Sequence, residues 1–154
     1  MKINDTYSHL YADDKLKNKG TILDEIKSVL IDDNLVFGIN NPKEIKKIVN
    51  DRFNEKGWAD KTKVGNSKLT ISFLKSKVGL CFQLGNVART YADILKLSQL
   101  GKKNIIEVGV IIVAHKIESK KMGANYAQFE RLEKEIKHFG DIINVPILVI
   151  GLSN

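Results

Sequence analysis

The segment FLKSKVGLCFQLGN, residues 73–86, places three side chains capable of chemistry on one short stretch of chain. Cys81 carries a thiol, Gln83 an amide oxygen, and Asn86 an amide that both donates and accepts hydrogen bonds. The apolar residues of the segment predict a strand that ends near Gly85 and leads into a helix. Strand ends of this kind often hold a metal ion, but Mg²⁺ prefers carboxylate oxygens and a thiol favours softer metals. The segment alone therefore does not predict a magnesium centre.

Two amphipathic helices are predicted before this segment, over residues 21–33 and 41–57. In the second helix Asn41 is a suitable N-cap, Pro42 suits the first turn, and Glu44 completes a reciprocal cap. Three lysines lie off the apolar stripe of this helix, on a face expected to be solvated: Lys43, Lys46 and Lys47. The helix is therefore expected to pack one face on a core and to present charge on the other.

The rest of the chain alternates strands and helices. Strands are predicted at 69–73, 78–84, 104–114 and 145–152, and helices at 86–103 and 124–140. The helix 86–103 is expected to bury four apolar side chains and to end at a glycine: Val87, Tyr91, Ile94, Leu95 and Gly101. Near-continuous apolar strands indicate a sheet covered on both faces, which predicts an α/β fold around one mixed sheet. No glycine-rich nucleotide-binding motif accompanies it.

Length and composition fit one domain, residues 1–154, because 43% of the residues are hydrophobic and 28% are charged. No apolar run approaches the roughly 18 residues of a membrane span, and the polar first residues do not form a leader, so we expect a cytoplasmic protein without a membrane partner. One cysteine excludes an internal disulfide, and three scattered histidines predict no zinc site. The net charge of +7 favours a polyanionic partner such as nucleic acid.

Six segments in order resemble the BglII/BstYI family of type II restriction endonucleases, which have the PD-(D/E)XK nuclease fold. The segments are YSHL, NEKGW, VGLCFQLGN, EVGVIIV, GANYAQFE and VPILVIGL. The resemblance implies a restriction-endonuclease-like core, with a mixed central sheet flanked by helices. The chain is shorter than the family's enzymes, because most of the segment that those enzymes carry just before the first catalytic strand is missing, and only ADKTKVGNSK is present there.

The resemblance also identifies the positions of the family's catalytic residues. The family carries an Asp on one strand and Glu-x-Gln nine and eleven residues later, which places Ser72, Cys81 and Gln83 at these positions without gaps. Only the glutamine is retained. A hydroxyl and a thiol are poor ligands for Mg²⁺, so we expect no metal cofactor and little or no cleavage. Mg²⁺ is expected only if cleavage is retained, and Glu107 is then the acid expected nearest to the site.

DNA contacts are implied at the family's two recognition segments and at neighbouring lysines. Base or backbone contacts are expected from Asn86, Arg89, Asn125 and Tyr126, and phosphate contacts from Lys75 and Lys77, with Lys61, Lys63 and Lys68 as further candidates. Each has a structural alternative: Asn86 and Asn125 are also suitable helix caps, Tyr126 is also a core residue, and the cations are also ordinary surface residues.

Four hypotheses follow. The first is a homodimeric protein that binds double-stranded DNA at a short palindrome with a GATC-like core, as the resemblance implies, and that has lost cleavage. The second is an active Mg²⁺-dependent endonuclease with a rearranged site. The third is the inactive subunit of a heterodimeric nuclease, and the fourth is a relative of the fold that binds another protein. Loss of two carboxylates beside a phosphate removes repulsion of DNA, which favours the first.

Overall fold

The computed structural model describes all residues, 1–154, and is built around one six-stranded mixed sheet with the order β1-β6-β5-β4-β3-β2. The strands are β1 Lys2–His9, β2 Ala59–Asp60, β3 Phe73–Lys75, β4 Val78–Phe82, β5 Val108–Ala114 and β6 Ile147–Ser153. β4, β5 and β6 are parallel, and the strands at both edges are antiparallel to their neighbours. This arrangement confirms the predicted α/β fold with a mixed sheet flanked by helices.

The helices cover both faces of the sheet. They are α1 Ala12–Lys17, α2 Ile22–Leu30, α3 Pro42–Glu55, α4 Arg89–Lys102, α5 Lys116–Met122 and α6 Phe129–His138, with a 3₁₀ turn at Gly140–Ile142. One apolar core lies between the sheet and α1 to α3, and a second lies under α4 and α6. The longest helices have 14 residues, and none is long and apolar enough to span a membrane.

The N-terminus of α3 forms as predicted. The Asn41 side chain accepts hydrogen bonds from the backbone N–H groups of Lys43 and Glu44, each at 3.0 Å. The Glu44 carboxylate in turn accepts from the Asn41 backbone N–H at 3.1 Å. This reciprocal cap satisfies backbone donors that no helical carbonyl can reach, so it fixes where α3 begins.

Several predicted details of the elements are wrong. The sequence did not predict β1, because this edge strand is largely exposed and shows no apolar alternation. On α4, Tyr91 and Leu95 were expected in the core but are 38% and 69% exposed. Gly101 does not end α4 but lies inside it, where a Cβ atom would come within 2.8 Å of the Val145 side chain. The glycine therefore permits close packing of the helix.

The position of α4 follows from two adjacent glycines in the sheet. Gly79 on β4 pairs in register with Gly109 on β5. A Cβ atom at either position would lie about 3 Å from the Leu97 side chain, at 3.1 and 2.9 Å respectively. Leu97 therefore seats α4 directly on the sheet. One helical turn earlier, the helix brings Asp93 to the end of β4.

Candidate functional site

The pairing of β3 with β4 places Ser72 and Cys81 next to each other. β3 and β4 are antiparallel with Phe73 opposite Leu80, so Ser72 lies one residue before β3 and beside the end of β4. The Ser72 hydroxyl accepts a hydrogen bond from the backbone N–H of Phe82 at 3.0 Å. The serine therefore joins the two strands, and part of its acceptor capacity is already used.

Cys81 is part of the core under α4. Its side chain is 2% exposed and belongs to the same apolar cluster as Ile94 and Leu97. Burial raises the pKa of the Cys81 thiol well above its ordinary value, and the negative charge of Asp93 raises it further. The cysteine stays a protonated thiol at neutral pH, which matches the role of a small packing residue.

Gln83 takes part in a buried polar chain that the sequence did not predict. Its amide nitrogen donates to Asp93 Oδ2 at 2.9 Å, and Asp93 Oδ1 lies 2.5 Å from Lys96 Nζ. Lys96 also donates to the carbonyl of Thr70 at 2.8 Å. The Asp93 side chain is 4% exposed, so its charge is compensated within the protein by Lys96. The pocket at the end of β4, formed around Ser72, Cys81 and Gln83, therefore contains one carboxylate, and its negative charge is already neutralised.

The acid expected nearest to the site lies elsewhere. Glu107 precedes β5 at the opposite end of the sheet, where it pairs with Lys19 and with Lys77 at 3.2 Å. The periodicity of α4 could have indicated that Asp93 faces the core, because Asp93 lies four residues before the buried Leu97 on the same face of the helix. The sequence placed Asp93 on the helix after the strand and predicted that only Glu107 approaches the site, so the ion pair of Asp93 with Lys96 was not predicted.

The residues at the site do not fit Mg²⁺. A hard cation requires several oxygen ligands, usually with one or two carboxylates. Here the thiol of Cys81 is protonated and the Asp93 carboxylate is engaged by Lys96 and Gln83. No group of three or more acidic, histidine or cysteine side chains in the structure is placed to hold a metal ion. Other side chains therefore do not replace the carboxylate ligands that the family carries at the positions of Ser72 and Cys81.

A cleft of about 210 Å³ opens beside Ser72 between α3 and the β3 strand. It is lined by Lys46, Asn50, Asp60, Lys61, Thr70, Ile71, Ser72, Phe73 and Phe82. Asp60 and Lys61 bring one charge of each sign, and Lys46 adds a second cation. The cleft has a net positive lining, which suits an anion better than a metal ion.

The two predicted recognition segments lie side by side. Asn86 and Tyr126 form an antiparallel bridge, and the Val87 N–H donates to the Asn125 carbonyl at 2.8 Å. The side chains of Asn86 and Asn125 are exposed, as is Arg89 in the first turn of α4. Four candidate DNA contacts therefore share the edge of the sheet where β4 ends. Their contact with DNA stays a prediction.

Some of these side chains also have local structural roles. The Asn86 side chain accepts from the backbone N–H of Ala88 at 2.8 Å, which turns the chain into α4. Tyr126 is half-buried, and its ring occupies the space beside Gly123, where a Cβ atom would lie 2.8 Å away. The amide nitrogen of Asn86 remains available for a ligand, because the turn uses only its oxygen.

Lys75 and Lys77 lie apart from this edge, at the hairpin that joins β3 to β4. Lys75 Nζ is 2.8 Å from Glu25 Oε2 and 2.6 Å from the Lys56 carbonyl. Lys77 is paired with Glu107. Phosphate contact by these lysines stays a prediction, but the structure places them with acidic partners at the end of β4 that is remote from Gln83.

Comparison with known proteins identifies the relatives of this fold. The sequence profile of the restriction endonuclease BglII/BglIII family matches residues 4–152. No curated protein sequence matches the chain. A crystal structure of BglII complexed with a DNA 16-mer is similar, with a TM-score of 0.83 at 18% identity over 100% of this chain and 77% of that chain. Free BglII gives a TM-score of 0.73 at 20% identity over 100% of this chain and 80% of that chain.

Proposed function

The chain belongs to the BglII/BglIII restriction endonuclease family, and from this premise we propose that it binds double-stranded DNA at a short palindrome with a GATC-like core and cuts it poorly or not at all. The observation that carries the proposal is the composition of the pocket at the end of β4. Its one buried carboxylate, Asp93, is neutralised by Lys96, and Cys81 is a protonated thiol. Cleavage of a phosphodiester at neutral pH requires a metal ion that these ligands do not favour.

Duplex DNA as the partner is supported by the edge of the sheet beside this pocket. Asn86 and Asn125 present exposed amides there, and Arg89 presents an exposed guanidinium. Amide side chains pair with adenine in the major groove, and arginine pairs with guanine or phosphate. The relative with the TM-score of 0.83 was crystallised with DNA. A net charge of +7 further favours a polyanion.

We further propose that residues 1–154 act as one domain within a homodimer. A palindromic site has two-fold symmetry, and a two-fold dimer presents the same residues to each half. Two apolar side chains of α4 are available for an interface, because Tyr91 and Leu95 are exposed. A protein that acts on cellular duplex DNA in this way would function in the cytoplasm.

Incubation with duplexes that contain GATC tests this function. We expect a shift of the duplex in EDTA and no cutting in Mg²⁺ or Mn²⁺. The double variant Ser72→Asp with Cys81→Glu restores two carboxylates and should restore metal-dependent cutting. A wild-type protein that cuts as a normal endonuclease would overturn the proposal, as would the absence of salt-dependent DNA binding.

Retained cleavage is the second candidate, and one observation favours it. Asp93 supplies a carboxylate to the pocket from α4, and Asp60 lines the adjoining cleft. If the wild-type protein cuts DNA in Mn²⁺ and Asp93→Asn abolishes cutting while DNA binding is kept, this second function replaces the first. Asp51→Asn, on the exposed face of α3, is the matched control.

A further inference from the structure

Lys46 lies beside the pocket although its position on α3 suggested only a solvated residue. It follows the buried Ile45 on the helix and is half-buried itself. Its side chain lines the same cleft as Ser72. Its Nζ atom lies 3.9 Å from the place that a Cβ atom would occupy at Gly85. The ammonium group is therefore held at the end of β4, next to the positions of the family's catalytic residues.

This lysine has no acidic partner in the structure. None of the ion pairs includes Lys46 or Arg89. Burial lowers the pKa of Lys46, the nearby charge of Arg89 lowers it further, and Asp93 opposes both effects. A half-buried cation without a counter-ion is costly, and a second cation beside it adds repulsion. An anion bound to Lys46 would relieve both costs.

We propose that Lys46 forms a metal-independent phosphate-binding site that holds one backbone phosphate of duplex DNA beside Ser72, and that Arg89, exposed at the start of α4 four residues after Gly85, supplies the second cation. The proposal rests on the function proposed above and specifies how the pocket binds DNA without a divalent ion. The lysine supplies a compact point charge, and the arginine supplies a planar set of donors that matches phosphate oxygens.

The surroundings of the two cations suit a phosphate. The cleft also contains a hydroxyl from Ser72 and an exposed amide from Asn50, which are neutral donors. Gly85 keeps the approach open, because a Cβ atom there would come within 2.8 Å of Gln83 Oε1. The one acid of the cleft, Asp60, is exposed and is accompanied by Lys61. The positive charge of Lys46 therefore remains available to an anion.

The buried acceptor of Gln83 is consistent with this geometry. Gln83 Oε1 has no hydrogen-bond partner, because the amide nitrogen is oriented toward Asp93. A backbone phosphodiester has no proton to donate to it, so the phosphate of DNA is expected on the side of Lys46 that faces the cleft.

Substitution of Lys46 tests the site. In EDTA, Lys46→Met should weaken binding of a GATC-containing duplex by about tenfold or more, because a hydrogen bond to a charged group contributes about 1.5–3 kcal/mol. The salt dependence should lose roughly one ion equivalent. Lys47→Met removes the same charge from the exposed neighbouring position and should weaken binding less than about threefold. Lys46→Arg should retain most of the affinity.

The outcomes separate this inference from the proposed function. If the wild-type protein binds the duplex and Lys46→Met behaves like Lys47→Met, the phosphate site is wrong and the proposed function stands. Titration of the wild-type protein with inorganic phosphate, followed by NMR of the lysine side chains, tests the site without DNA. A selective shift of the Lys46 signal without duplex binding supports the anion site and overturns the proposed function. If the wild-type protein shows neither duplex binding nor a shift of the Lys46 signal, both the phosphate site and the proposed function are wrong.

Discussion

The two ends of β4 differ in how their cations are compensated. At the hairpin end, Lys75 contacts Glu25 at 2.8 Å and Lys77 contacts Glu107 at 3.2 Å. At the carboxyl end, Lys46 and Arg89 have no acidic partner, although Lys46 is half-buried. Lysines that look alike in the sequence therefore differ in the charge that they can offer to a ligand. A compensated cation stabilises the fold, whereas an uncompensated and partly buried one indicates a binding site.

The carboxyl end of β4 also has one cation, Lys96, whose charge is compensated by an acid. Lys96 is bound to Asp93 and to the Thr70 carbonyl, and its side chain is 16% exposed. The ion pair with Lys96 neutralises Asp93, the one buried carboxylate at this end of β4, so that this carboxylate does not attract a metal ion. Lys46, in contrast, forms no ion pair at this end of β4.

The largest expected effect is on stability, from removal of Asp93. Asp93→Ala leaves Lys96 buried without its partner and removes the acceptor of the Gln83 amide. Breaking a buried ion pair in this way costs about 3 kcal/mol of unfolding free energy. Chemical denaturation followed by circular dichroism measures it. Asp51→Ala, at an exposed position of α3, should change stability by less than about 0.5 kcal/mol. Equal effects of the two variants would show that the Asp93 pair is not a stabilising contact.

An intermediate effect is expected at the hairpin end, from Glu25. Its carboxylate binds Lys75 and the indole N–H of Trp58, and the bond with Lys75 is the main cause of its lowered pKa. Glu25→Gln should therefore cost about 1 kcal/mol at pH 7, because these hydrogen bonds lose their charge assistance. Thermal unfolding of both proteins across pH checks the size and the direction of the effect.

The sign of this pH dependence follows from the direction of the shift. A carboxyl group whose pKa is lowered by folding stabilises the protein above its ordinary value of 4.5. This contribution is lost as the pH falls through the lowered pKa. The difference in stability between the wild-type protein and Glu25→Gln should therefore be present at pH 7 and shrink toward zero in acid. A difference that grows in acid would contradict the assignment.

The sequence predicted the parts of this structure that depend on local patterns. The cap formed by Asn41 and Glu44 needs only two residues at the right spacing, and β5 and β6 are almost uniformly apolar. The resemblance to the family singled out Ser72 and Cys81, and the pairing of β3 with β4 brings these two positions side by side. These features do not require knowledge of residues that are distant in the chain.

The parts that were missed depend on contacts between elements. Helical periodicity places Lys46 off the apolar stripe of α3, but only the position of β4 makes it part of a cleft. Asp93 was not expected in the pocket, because Gly79 and Gly109 set how closely α4 approaches the sheet. Leu95 was expected to be buried, yet the adjacent face of α4 has no element packed on it. Whether a charged side chain is buried depends on the packing of elements that are distant in the chain, so the spacing of residues in the sequence could not predict it.

The smallest expected effect comes from substitution of Lys77, a compensated lysine at the hairpin end of β4. Lys77 lies five residues before Phe82, a distance of about 16 Å along the strand. This exceeds the Debye length of about 8–10 Å at physiological salt. Lys77 is also paired with Glu107 and is 58% exposed. Lys77→Met should therefore change the affinity for a GATC-containing duplex by less than about twofold, as measured by fluorescence anisotropy beside Lys46→Met. A tenfold loss would place the hairpin against the DNA backbone, and the distinction between compensated and uncompensated lysines would then fail as a guide to the binding surface.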